Sequence, residues 1–218
     1  MTSPLVGPRV SRHTRDGDPF HYTPVPVGRP RSEEARQAAL AATVDLVLTN
    51  GVEGVTFEDV AARSGVAKTT LYRHFGSKQA MIVAAASSCF VEHPTPDTGD
   101  LASDLQVIFE RFKDAEDERR VPDLIPALLA ASDRDPELHR LVLAMLEERR
   151  RPIRTVLQLA QLRGEIDRDV DLDIAISLLI GPFVLRRMID RLDVTPEFRD
   201  AVLQSVVAGL RSTAPAPA

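Results

Sequence analysis

From residue 32 onward, apolar positions recur three and four residues apart with polar residues between them, and no stretch alternates strictly as a strand would. The first stripe is Ala35, Ala39, Ala42 and Leu46. Ser32 stands where an N-cap belongs, with Glu33 and Glu34 behind it to meet the free N–H groups of a first turn, and Asn50-Gly51 closes the helix. Thr56 with Asp59 predicts a second, short helix buried through Phe57, Val60 and Ala61. Ser64-Gly65-Val66 turns the chain, a third short helix follows from about Ala67 to His74, and Ser77 caps a fourth that reaches about Glu92. The breaker run from His93 to Asp100 then separates this unit from further helices at roughly 100–117, 121–131, 136–163, 171–191 and 196–211. Pro136 and Pro196 sit at first-turn positions that proline tolerates, whereas Pro152 and Pro182 fall inside helices and are expected to kink them. The fold class predicted is all-α, with about nine helices: a three-helix N-terminal domain and a larger C-terminal helical bundle.

Composition refines the boundaries. Residues 1–31 hold six of the sixteen prolines and almost no hydrophobic periodicity, so they read as a tail, as does the TAPAPA end at 213–218. Between the tails, 32–92 and 93–212 read as two domains. One cysteine, Cys89, excludes an internal disulfide framework and suits a reducing cytosol. The opening residues MTSPLVGPRV contain no apolar core of a secretory signal, and the most apolar stretch, Ile174 to Leu185, is too short to span a bilayer. A cytoplasmic chain with no membrane partner is expected. The net charge of -5 at first argues against nucleic acid, but its distribution is uneven. Residues 1–80 carry ten basic and eight acidic side chains, and all of the acidic excess lies beyond them. A polyanion would meet the N-terminal end.

The stretch Thr56–Phe75, TFEDVAARSGVAKTTLYRHF, places two short helices around a turn at Gly65, the arrangement in which one helix enters a major groove while the other braces it. In the second helix Leu71 and Phe75 are spaced to face the core, leaving Lys68, Thr69, Tyr72 and Arg73 outward and Thr70 and His74 at the margins. These groups hydrogen-bond phosphates or base edges, and threonine methyls suit thymine. Lys78 lies in the first turn of the next helix, where free N–H groups favour a phosphate. Arg29 and Arg31, around Pro30, read either as a short extended arm for a minor groove or as a basic linker.

GVAKTTLYRHFGSKQAM, with Thr56, Val60, Ala61 and Gly65 upstream, resembles the TetR (tetracycline-repressor) family pattern over roughly residues 32–92. The resemblance implies that Lys68, Thr69 and His74 approach bases or their phosphates while Thr56, Thr70, Tyr72 and Lys78 hold the backbone. Two positions depart from the pattern: Ala67 replaces a serine, removing one cap or phosphate contact, and Thr69 stands where glycine is frequent. The later segments PDLIPALLAASDRDPELH, RGEID and LLIGPFVLRR resemble the family's C-terminal domain more loosely. That domain implies a small-molecule effector and a homodimer through the last two long helices. Apolar excess there supports it: Ile174, Leu178, Leu185 and Met188 on one helix, and Val202, Val206 and Leu210 on the other, form the expected interface.

Phe109, Phe112, Met145 and Phe183 either line an effector pocket or are plain core. Cys89 is either a thiol sensor or inert filler, and His93 with Asp97 lack the third ligand of a metal site. Arg149 to Arg151 either meet an anion or, with Glu147 and Glu148 adjoining, form a solvated helix face. No phosphate loop, nucleophile elbow or metal-histidine pair is present, so neither an enzyme nor a cofactor is expected. The expected function is a ligand-responsive repressor that binds a palindromic double-stranded operator as a homodimer. The alternatives are an activator, a regulator without a ligand, or a helical binding protein whose helix-turn-helix is only structural.

Overall fold

The computed structural model describes residues 29–111 and 120–212, with backbone alone at 29–31 and 212. Among them are nine α-helices and no strand: α1 (Arg29–Asn50), α2 (Phe57–Ser64), α3 (Lys68–Phe75), α4 (Lys78–Ser88), α5 (Leu101–Arg111), α6 (Val121–Ser132), α7 (Pro136–Arg163), α8 (Leu172–Val184) and α9 (Pro196–Ser212). A π-helical turn, Leu185–Ile189, continues α8.

The caps explain most boundaries. Thr56 Oγ1 accepts the Asp59 N–H at 3.1 Å, Ser77 Oγ accepts that of Ala80 at 3.1 Å, and Asp135 accepts those of Glu137 and Leu138 at 3.0 Å each. Gly51, at φ 72°, ends α1 with its N–H on the Val47 carbonyl. Two boundaries differ from expectation, and the interior of the helix begun at Leu172 leaves α geometry. The backbone is already helical at Arg29–Arg31, so these residues do not form an extended arm; the fixed φ of Pro30 suits a first helical turn equally well. Their side chains, and residues 1–28, lie outside the described residues. Helix α4 stops at Ser88 instead of Glu92, because Cys89 and Phe90 turn their N–H groups back to the carbonyls of Ala86 and Ser87. Helix α7 stays helical through Pro152, and the departure from α geometry near Pro182 comes three residues later, where the Asp190 N–H reaches the Leu185 carbonyl. The turn closes at Arg191, a non-glycine residue at φ 58°, whose guanidinium is tied to the Pro122 carbonyl and the Asp123 carboxylate of α6.

The buried apolar residues form two clusters. The first joins α1 to α4 with α6 and the first half of α7, through residues such as Leu40, Val44, Leu71, Met81, Leu128 and Val142. The second joins α5, the second half of α7, α8 and α9, through Leu105, Phe109, Leu157, Leu179, Leu203 and Val207. The first cluster therefore crosses the boundary drawn at 92/93. Helix α7 is common to both, and Pro152 lies between Met145 of the first and Ile153 of the second.

Candidate nucleic-acid interface

Helix α2 ends on Gly65 at φ 72° and ψ 6°, a left-handed conformation that costs glycine little, with its N–H on the Ala61 carbonyl at 3.0 Å. The chain can then turn into α3 within three residues. Ala67, at the N-cap of α3, supplies no side-chain hydrogen bond, as its substitution for serine implies. Leu71 is fully buried and Phe75 half-buried against the first core, which turns the opposite side of α3 outward.

On that side Lys68, Thr69, Tyr72 and Arg73 are exposed, while Thr70 and His74 are half-buried. Tyr72 is 47% exposed but not loose: its ring stacks on Phe57 of α2, centroids 4.0 Å apart at 28°. Lys68 pairs with Glu58, and its ammonium lies 5.7 Å from the Tyr72 ring centroid. Their mutual hydrogen bond raises the lysine pKa and lowers that of Glu58, so both are charged at neutral pH. His74 Nε2 is closed off from solvent without a hydrogen-bond partner, so contact with DNA through this atom requires the ring to turn. Lys78 Nζ donates to the Glu53 carbonyl at 2.8 Å; an ammonium has two further protons for a phosphate. Thr56 Oγ1 is engaged locally, donating to Asp59 Oδ2 at 2.6 Å.

Among the contacts that tie this head to the rest of the chain, three side-chain pairs escape sequence reasoning: Asp45 with Arg120, Gln79 with Asp135 and Ser77 with Glu137. Asp45 of α1 accepts from Arg63 at 3.0 Å and from Arg120, just before α6, at 2.8 Å, beside an open cleft that Leu48 and Thr49 also line. Gln79 donates to Asp135 at 2.8 Å, and Ser77 to Glu137 at 3.0 Å, joining the start of α4 to the start of α7. These partners are far apart in sequence, and no local pattern announces them.

The C-terminal expectations are partly redrawn. Phe109 and Phe183 do meet, with ring centroids 4.7 Å apart, and Phe183 is edge-on to Phe198 at 5.8 Å. Met145 belongs to the other core, on the far side of Pro152, so it does not line a pocket with them, and Phe112 lies outside the described residues. Ile174, Leu178 and Leu185 are 60%, 52% and 54% exposed, joined by Ile189 at 68%. Leu210 is instead buried in the second core, Val206 is half-buried against it, Val202 is half-buried, and Met188 packs on the first core. The reason is register: Leu203, Val207 and Leu210 form the inward row of α9, leaving Ala201, Gln204, Ser205 and Ala208 outward. Arg149 leaves the solvated face expected of it, donating to the Ser87 carbonyl at 3.0 Å and stacking 4.5 Å over Phe90, with its pKa lowered by burial; Arg150 and Arg151 do face solvent. Among the described residues no three His, Cys, Asp or Glu side chains gather as a metal site requires, and no helix is long and apolar enough to cross a membrane.

A helix-turn-helix with an outward row of cation, hydroxyl and phenol, carried on an all-α body, defines a DNA-binding transcriptional regulator and not an enzyme. Residues 39–85 match the profile of bacterial regulatory proteins of the tetR family, and residues 95–206 match the tetracyclin repressor-like C-terminal domain. The chain belongs to the TetR family. It is 28% identical over 191 residues to the helix-turn-helix-type transcriptional regulator YdeS of Bacillus subtilis (strain 168), covering 85% of this chain and 94% of that one. It is 27% identical over 188 residues to the DNA-binding transcriptional repressor TetR of Mycobacteroides abscessus, covering 83% and 98%. The crystal structure of the TetR family transcription regulator SCO0332 superposes with a TM-score of 0.55 at 29% identity, over 81% of this chain and 98% of that one.

Proposed function

We propose that the chain is a homodimeric, ligand-responsive repressor of the cytoplasm, binding a palindromic operator through two copies of the α2–α3 head. The observation that carries the dimer is the apolar row on α8 and the π-helical turn, where Ile174, Leu178, Leu185 and Ile189 are each more than half exposed. One eight-residue reading helix contacts too few base pairs for operator specificity, and a two-fold axis supplies the second half-site about 34–36 Å away. In this reading Lys68 and Thr69 meet base edges; Thr56, Thr70, Tyr72, Arg73 and Lys78 hold phosphates; and His74 joins once its ring turns. Arg29 and Arg31, at the start of α1, are candidates for a further DNA contact in this reading. Repression rather than activation is supported by the name of the Mycobacteroides abscessus relative. The Phe109–Phe183–Phe198 cluster supports an apolar or aromatic effector bound among α5, α8 and α9, acting by its different affinity for two head spacings.

The test is selection of bound fragments from genomic DNA, followed by titration of the recovered duplex at several salt concentrations. A palindromic consensus with binding that falls steeply as salt rises is expected. Absence of binding even at low salt would sink the proposal.

A further inference from the structure

We propose that Glu58 is a specificity-determining residue of the reading head, acting with Lys68 as one donor–acceptor unit toward a G·C pair in the major groove. This rests on the reading that α3 enters that groove. A carboxylate on a surface meant for a polyanion is unexpected: it weakens attraction to every phosphate backbone alike. Yet Glu58 is held in the reading surface rather than beside it. It stands in the first turn of α2, next to Phe57, and pairs with the first residue of α3, while the Phe57 and Tyr72 rings stack between the same two helices. Ring on ring and carboxylate on ammonium interleave, so the acidic oxygen and the cation are presented side by side. Both remain open to a partner, with side chains 44% exposed for Lys68 and 62% for Glu58. Guanine offers two acceptors to the major groove and its cytosine partner offers an amino donor, which an ammonium and a carboxylate match respectively. No phosphate can satisfy the carboxylate. Glu58 therefore lowers binding to wrong sequences and recovers the loss only on the right pair, which is discrimination by repulsion.

The experiment uses the full chain with Glu58→Gln, Glu58→Asp, Lys68→Ala and Thr69→Ala, each profiled against randomised duplexes and titrated on unrelated DNA. Glu58→Gln is expected to raise affinity for unrelated DNA several-fold and to lower preference at one G·C pair per half-site about tenfold, leaving other positions unchanged. Glu58→Asp keeps the charge but is one methylene short, so it should lose the preference without gaining affinity for unrelated DNA. Circular dichroism and thermal unfolding should match wild type, because the side chain is exposed. If Glu58→Gln leaves the preference unchanged at every position while Lys68→Ala alters it, this inference is overturned and the reading head stands. If neither Lys68→Ala nor Thr69→Ala alters any preference, the reading head itself is overturned, and this inference with it.

Discussion

Replacing Leu178 tests the dimer most directly, because it stands mid-row on α8 and is 52% exposed, about half uncovered by its own chain. Full burial of a leucine contributes roughly 1.5–3 kcal/mol, so covering the open half contributes about 1 kcal/mol, and the two-fold axis counts it twice. Leu178→Ala should therefore weaken dimerisation by about 2 kcal/mol, or about 30-fold in dissociation constant. Applied to Ile174, Leu178, Leu185 and Ile189 in both copies, the same reasoning gives about 8 kcal/mol, within the ~4–15 kcal/mol that association itself costs. The small outward residues of α9 must then pack closely enough to supply the rest. Leu178→Arg puts an unpaired cation from each copy into the proposed apolar interface, at a cost of at least ~3–5 kcal/mol, and should leave a folded monomer. Sedimentation velocity across a concentration series is the assay, with binding to a palindromic duplex as a second readout. A wild-type protein that is monomeric at roughly micromolar concentration, or a Leu178→Arg protein as dimeric as wild type, refutes the reasoning.

Other outcomes follow from single contacts. Lys78→Ala and Tyr72→Ala should weaken binding to all duplexes alike, whereas Thr69→Ala should shift base preference; identical preferences in competition assays would remove that division of labour. Gly65→Ala meets no atom within 4 Å of the added Cβ, so its cost is the left-handed backbone alone, about 1–2 kcal/mol, seen as a fall of roughly 2–8 °C in Tm. Burial opposes ionisation of Glu165, but the Leu101 N–H with Arg163 and Arg211 outweighs it and holds the pKa below the ordinary value. Its contribution to stability is thus complete above the unfolded pKa of about 4.3 and is lost as the pH falls through the lower folded value. Glu165→Gln should accordingly be less stable than wild type near neutrality and flatter in acid; urea melts of the two proteins that fall in parallel below about pH 4 would contradict this.

Local signals were legible in the sequence. The N-caps at Thr56 and Ser77, the first-turn proline at 136 and the glycines at 51 and 65 act within four residues of themselves, and the structure uses each as predicted. The outward side of α3 was equally plain, because burial of Leu71 and Phe75 fixes the phase of a short helix. What escaped was long-range. The early end of α4 rests on the turning back of Cys89 and Phe90, with Arg149 taking up the Ser87 carbonyl from 62 residues away. Glu58 draws no notice in the sequence, and only the fold brings it from the first turn of α2 to Lys68. Apolar excess on α9 predicted an exposed row, but hydrophobicity does not say which neighbour claims it, and the chain's own second core claims Leu210.

Helix α7 is also a mechanical part. Its 28 residues make a rod about 42 Å long, one end embedded in the second core and the other fastened to the start of α4 through Asp135 and Glu137. A tilt of only about 5° around the far end swings the near end by about 3.7 Å, slightly more than the ~3.4 Å rise of one base pair. A tilt of that size, if an effector drove it, would be geared up at the reading head into about one base-pair step along the duplex.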